Sequence, residues 1–206
     1  MKPIFTYLVC FFIFCLWLRY EQNKSKKSEQ KATDDFWSTE YEANHTRNKD
    51  YSDLPILHVK ESEIPVAESA GEAVQYNISR VLQIIKNPMA DLSEYSNTEL
   101  KLAYGVGNFK LLSEYDENFN QFLTSLTNLA RSYEKEGLLD TARDTYLLAL
   151  RYGSKRASDF TELAKIYMKL NQPEKISQLI RETESGTHPR KDSVIAALRE
   201  ILAACQ

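Results

Sequence analysis

The sequence predicts an all-α chain, on three observations. Apolar residues after residue 71 recur at three- and four-residue spacing, helix after helix. An internal period of 34 residues links two stretches of the C-terminal half. No stretch shows the sustained alternation of a half-buried strand. The length, 206 residues, leaves room for one domain of ordinary size plus non-globular segments.

The N-terminal segment comes first. Residues 3–18 carry no charge. At ~1.5 Å per residue a helix over this run covers roughly 24 Å, a little short of a ~30 Å hydrocarbon core. Lys2 and Arg19 can snorkel and Trp17 and Tyr20 suit an interface, so 1–20 is expected to be a single membrane-spanning anchor. The rival is a cleaved signal peptide, which would make the protein extracytoplasmic. Against it, Arg19, Tyr20, Glu21 and Gln22 follow the run where small residues are needed, and Phe14 precedes Cys15. Arg19, Lys24, Lys26, Lys27 and Lys31 flank the run on its C-terminal side, so the positive-inside rule places the rest of the chain in the cytoplasm. Cys205 is the only cysteine outside the run, in keeping with a compartment without disulfides.

Charge narrows the function. Residues 1–33 are net +4 and the whole chain is −3, leaving −7 for residues 34–206. A nucleic-acid surface would need clustered Lys and Arg there. Residues 21–70 read as a flexible polar linker. Lys, Ser, Glu, Gln and Asn dominate 21–33 without an apolar period, and Pro55 and Pro65 interrupt the rest. Phe36, Trp37, Tyr41 and Tyr51 are scattered through it, either as loose packing or as a short partner motif.

The domain, 71–206, is expected to open with a helix over 73–86, burying Val74, Ile78, Val81, Leu82 and Ile85. Ser96-Asn97-Thr98-Glu99 has the form of a capping box, opening a helix to about Glu114. Further helices are predicted over 118–136, 139–152, 156–170, 174–185 and 190–204.

At a spacing of 34, Leu126, Leu129, Ala130 and Tyr133 fall on Phe160, Leu163, Ala164 and Tyr167, and Gly137 falls on Asn171, where positive φ is tolerated. Ala142, Tyr146 and Ala149 follow in the first copy. This pattern resembles the tetratricopeptide repeat. The resemblance implies antiparallel helix hairpins stacked as a short solenoid, with Ala130 and Ala149 at close helix contacts. Its clearest repeats are 123–156 and 157–188, with 73–114 supplying a first hairpin and 190–204 capping the end. The second copy departs from the pattern, with Ile176, Ile180 and Thr183 at the small, aromatic and small positions. Ser154 stands where the family prefers proline.

The same resemblance implies a protein-binding groove lined by Thr127, Asn128 and Arg131 in the first repeat and Thr161, Glu162 and Lys165 in the second. Arg131 and Lys165, 34 apart, would form one basic wall for an acidic or C-terminal carboxylate peptide. The lysine–asparagine clamp of family members that bind chaperone tails is absent, since Thr127 and Arg131 occupy its places. No catalytic residue, metal or cofactor is expected: His45, His58 and His188 lack partners at ligand or triad spacing, and Gly105-Val106-Gly107 lacks the third glycine of a nucleotide-binding loop. Those glycines suit close helix packing. The expected function is a membrane-tethered scaffold or adaptor for a protein partner. The alternative is a structural subunit of a larger membrane complex.

Overall fold

The computed structural model describes residues 2–67 and 69–204, with side chains described from Phe11 onward. The chain is all-α: eight helices and one 3-10 turn, with no strand among the described residues. The helices are α1 (Lys2–His45), α2 (Glu72–Ile84), α3 (Asn97–Tyr104), α4 (Val106–Lys135), α5 (Leu139–Arg151), α6 (Ala157–Lys169), α7 (Pro173–Ser185) and α8 (Lys191–Ala203). The chain divides into two compact units, residues up to Asp53 with Glu94–Lys110, and Leu54–Ser93 with the rest from Leu111 on.

In the first unit, α1 corrects the expected linker: residues 21–45 are helix. They lack an apolar period but also any helix breaker. Lys, Glu, Gln and Ala favour helix wherever the chain is exposed. Local bonds such as Ser25 Oγ to Glu29, 3.4 Å, and Thr33 Oγ1 to the Glu29 carbonyl, 2.9 Å, add to it. Among the described residues no helix is long and apolar enough to cross a membrane. The first half of the expected anchor, 3–10, lies outside the residues whose side chains are described.

The C-terminal turns of α1 pack on α3. Ala43 is fully buried, Lys101 Nζ donates to Asn44 Oδ1 at 2.8 Å, and Thr98 donates its hydroxyl to Glu40. The capping box forms as expected, with Ser96 N to Glu99 Oε2 at 2.8 Å and Glu99 N to Ser96 Oγ at 3.3 Å. This helix ends at Tyr104 rather than near Glu114. Gly105 turns the chain at φ 90°, and Lys49 caps the freed carbonyls of Tyr104 (from its N–H, 3.0 Å) and Leu102 (from Nζ, 2.7 Å). A Cβ on Gly105 would lie 2.4 Å from the Arg47 carbonyl oxygen, and one on Gly107 2.4 Å from the Asn48 side chain. The two glycines therefore admit the 47–48 segment rather than another helix.

From Gly105 onward α4 runs unbroken to Lys135, so the break expected between 114 and 118 is absent. Nothing there removes a backbone donor or forces a turn. Helix α2 belongs to the second unit and α3 to the first.

The second unit holds the main core. Val74 and Val81 of α2 join Leu126, Leu129, Ala130 and Tyr133 of α4, all fully buried. Ala142, Tyr146 and Ala149 of α5, Leu163 and Ala164 of α6, Ile176 of α7 and Leu198 of α8 are equally buried. Helix α5 packs on α6, α6 on α7 and α8, and α7 on α8. Gly137 (φ 77°) and Asn171 (φ 56°) make matching turns 34 residues apart. Leu138 N bonds the Tyr133 carbonyl at 2.9 Å and Gln172 N the Tyr167 carbonyl at 2.8 Å, the 6→1 bond of a Schellman turn in each case. Gly153 (φ 87°) makes a third, through Ser154 N to the Ala149 carbonyl, 2.9 Å.

Residues 54–67, also expected to be linker, lie against this core. Leu54, Val59 and Ile64 are buried, and Leu57 N bonds the Met89 carbonyl at 2.7 Å. The Tyr133 hydroxyl donates to the Pro65 carbonyl at 2.8 Å, and that of Tyr152 to Glu63 Oε2 at 2.8 Å. Isolated apolar residues in a proline-containing strap carry no period, which is why sequence patterning does not reveal them.

Candidate functional site

The last turns of α4 present two faces. Leu126, Leu129, Ala130 and Tyr133 point into the core, while Asn128, Arg131 and Lys135, three and four residues apart, are exposed on one side. With Ala73 and Asn77 of α2, those exposed residues line a pocket of about 450 Å³. Arg131 and Lys135 make no ion pair or hydrogen bond among the described residues. The carboxylate in the lining, Glu136, accepts the Gly71 N–H at 2.9 Å.

The other expected groove residues are placed differently. Thr127 is 4% exposed and does not line a groove. Its hydroxyl lies 3.0 Å from the Leu123 carbonyl and 3.0 and 3.2 Å from the carboxyl oxygens of Asp159. Thr161 bonds the Ser158 carbonyl within α6, at 3.1 Å. Lys165 is paired with Glu162 of its own helix at 2.9 Å, and Lys169 with Glu134 of α4 at 2.7 Å. Lys165 thus carries a local carboxylate partner on its own helix, and the cation that lines a pocket with Arg131 is Lys135. Its signal in the sequence was the i,i+4 spacing from Arg131.

Asp159, in the first turn of α6, is 0% exposed. Besides Thr127 it accepts the Ser154 hydroxyl at 2.6 Å and that of Ser158 at 3.4 Å. Arg156 closes the group from outside, donating to the Asn120 carbonyl at 3.3 Å and to the Thr124 hydroxyl. Ser154, the residue at the family's proline position, supplies both an N–H to the turn and a hydroxyl to Asp159, and proline supplies neither. This cluster ties α4 to α6.

Burial raises the phenol pKa of Tyr104, Tyr133, Tyr146, Tyr152 and Tyr167, and two of these stand out. The buried Tyr146 hydroxyl has no hydrogen-bond partner among the described residues, and burial pushes its pKa far above the ordinary value. Burial, then the bond to Glu63, pushes the Tyr152 phenol up to about 12. Glu63 is held below the ordinary carboxylate range by the Lys60 N–H and then by Tyr152. His188 is held by backbone, its Nε2 3.1 Å from the Lys155 carbonyl and its Nδ1 accepting the Arg190 N–H at 3.0 Å. Among the described residues no three His, Cys, Asp or Glu side chains gather as a metal site. The chain matches no protein-family model, no curated protein and no solved structure.

Proposed function

We propose that the protein is a membrane-tethered scaffold that binds a protein partner through the exposed face of α4. The observation that carries this reading is the pair of unengaged cations, Arg131 and Lys135, beside Asn77 and Asn128 in one pocket. A carboxylate-bearing peptide suits it, through charge-assisted bonds to the cations and further bonds to the amides. The matching turns at Gly137 and Asn171 support the tetratricopeptide-like architecture. In it the end of α4 pairs with α5, α6 pairs with α7, α8 covers the end, and the first helix of each hairpin lines the concave side. The tether is the uncharged run 3–18, with the basic residues after it keeping the helical body in the cytoplasm.

Affinity purification from detergent extract, with the full chain and with a chain lacking 1–20, identifies the partner. Titration of that partner against Arg131→Glu and Lys135→Glu then tests the pocket. Each loss of a charged contact is worth ~1.5–3 kcal/mol, a tenfold to hundredfold weakening. Unchanged affinity in both variants sinks the pocket assignment. A mature protein beginning after residue 18 sinks the tether and moves the body outside the cytoplasm.

A second reading, a permanent subunit of a membrane complex, is favoured by α1, where Phe36, Trp37 and Tyr41 are 56%, 64% and 68% exposed. Co-purification that survives high salt supports it over a peptide-competable adaptor.

A further inference from the structure

Because 2–45 is one helix, the basic residues after the apolar run have fixed angular positions. At ~100° per residue, Lys24, Lys27 and Lys31 fall within about 60° of arc, with Tyr20 among them. Lys26 lies about 130° around from the centre of that stripe, and Glu21 and Glu29 lie about 90° and 170° away. The nearest acids, Asp34 and Asp35, flank it about 50° to either side, one turn beyond Lys31. All of these side chains are exposed, and the three lysines make no ion pair among the described residues. Glu29 instead accepts the Ser25 hydroxyl at 3.4 Å. One turn before the stripe, Phe14, Leu16 and Trp17 are more than half exposed, with the Phe14 and Trp17 rings 6.0 Å apart.

We propose that the face of α1 carrying Tyr20, Lys24, Lys27 and Lys31 docks on the anionic headgroup layer of a bilayer. This inference rests on the membrane reading above and adds to it a face and a lipid class. Charge complementarity selects the occupant: three unpaired ammonium groups in one row, continuous with exposed apolar and aromatic side chains, match an anionic surface laid over hydrocarbon. Length brings the stripe into reach. The run 3–18 falls ~6 Å short of a ~30 Å core, so about four further residues are drawn to its edge. Lys24 and Lys27 then enter the headgroup layer, and the ~20° average tilt of a spanning helix lowers the face that carries them toward the lipid and lifts Lys26 away. Helix side chains lean toward the helix N-terminus, here toward the lipid, so the longer reach of Lys31 is also directed back to the surface.

The test uses the full chain reconstituted into zwitterionic phosphatidylcholine vesicles and into vesicles with one third phosphatidylglycerol. Recovery is followed by flotation, and lysine acylation rates are read by mass spectrometry. Exposed Lys110 and Lys175 serve as internal standards. The expected result is flotation with both vesicles, with acylation of Lys24, Lys27 and Lys31 slowed roughly threefold or more on anionic lipid alone. High salt should restore it, since exposed charges are screened beyond ~8 Å at physiological ionic strength and more closely above it. Flotation with both vesicles but equal rates on the two overturns this inference and leaves the tether standing. Equal slowing of Lys26 replaces the face with a diffuse charge effect and overturns it too. Failure to float with either vesicle overturns the membrane reading itself.

Discussion

The two longest helices form for opposite reasons. Eleven side chains of α4 are buried, whereas among the described side chains of α1 Ala43 alone is. Helix α4 exists because an apolar stripe from Leu112 to Tyr133 needs a core. Helix α1 persists through 21–39 on propensity and i,i+4 bonds, with every side chain in that span exposed. The difference teaches that an absent apolar period excludes burial but not helix. A polar segment without proline or glycine remains free to continue a helix begun elsewhere.

The contrast is broken most directly by removing core from α4. Leu129→Ala deletes a fully buried side chain and should cost ~2–5 kcal/mol. Thermal melts of the full chain should fall by several degrees, and an unchanged melt would remove the packing account of α4. Ala149→Leu tests the same core from α5, where overpacking a fully buried alanine should cost ~1–3 kcal/mol. A variant melting like the parent would show that the contact tolerates bulk. Asp159→Ala leaves the Ser154 and Thr127 hydroxyls without their shared acceptor, at ~1–3 kcal/mol. Urea denaturation should show the loss, and Asp159→Asn, which keeps an acceptor, should recover part of it.

On the other side of the comparison, Ala32→Gly in exposed α1 should lower local helix stability by about 1 kcal/mol. Hydrogen exchange should quicken around residues 28–36 while the main melting transition stays in place. A shift of that transition would mean that α1 is packed around residue 32 as well. The smallest effect concerns the strap, which a polar clip joins to the core. The Glu63 pKa is depressed in the fold, so its contribution is present above the ordinary glutamate range and is lost as pH falls through the lower folded value. Tyr152→Phe removes one cause of that depression, and the fall in melting temperature between pH 5 and pH 3, roughly bracketing that range, should become shallower. An identical acid profile would leave Lys60 and Arg151 as the sources.

What the sequence determined by itself was whatever depends on near neighbours. The all-α class, the ends of α5 to α8 within about two residues, the Ser96–Glu99 box and the positive φ at Gly137 and Asn171 all follow from local spacing and backbone sterics. The buried set of the 34-residue pattern follows from the helix period. Tertiary structure decided what depends on residues far apart in the chain. Gly105 ends α3 because Arg47 and Asn48 approach it, and the strap 54–67 docks because Tyr133 and Tyr152 offer hydroxyls to Pro65 and Glu63. Of the expected groove residues, Thr127 was lost to Asp159, 32 positions away, whereas the Lys165–Glu162 pair is local to α6. Spacing assigns a residue to a face of its helix. Whether that side chain is free to meet a ligand depends on which donors and acceptors the fold brings beside it, and for Thr127 the decisive one, Asp159, lies on another helix.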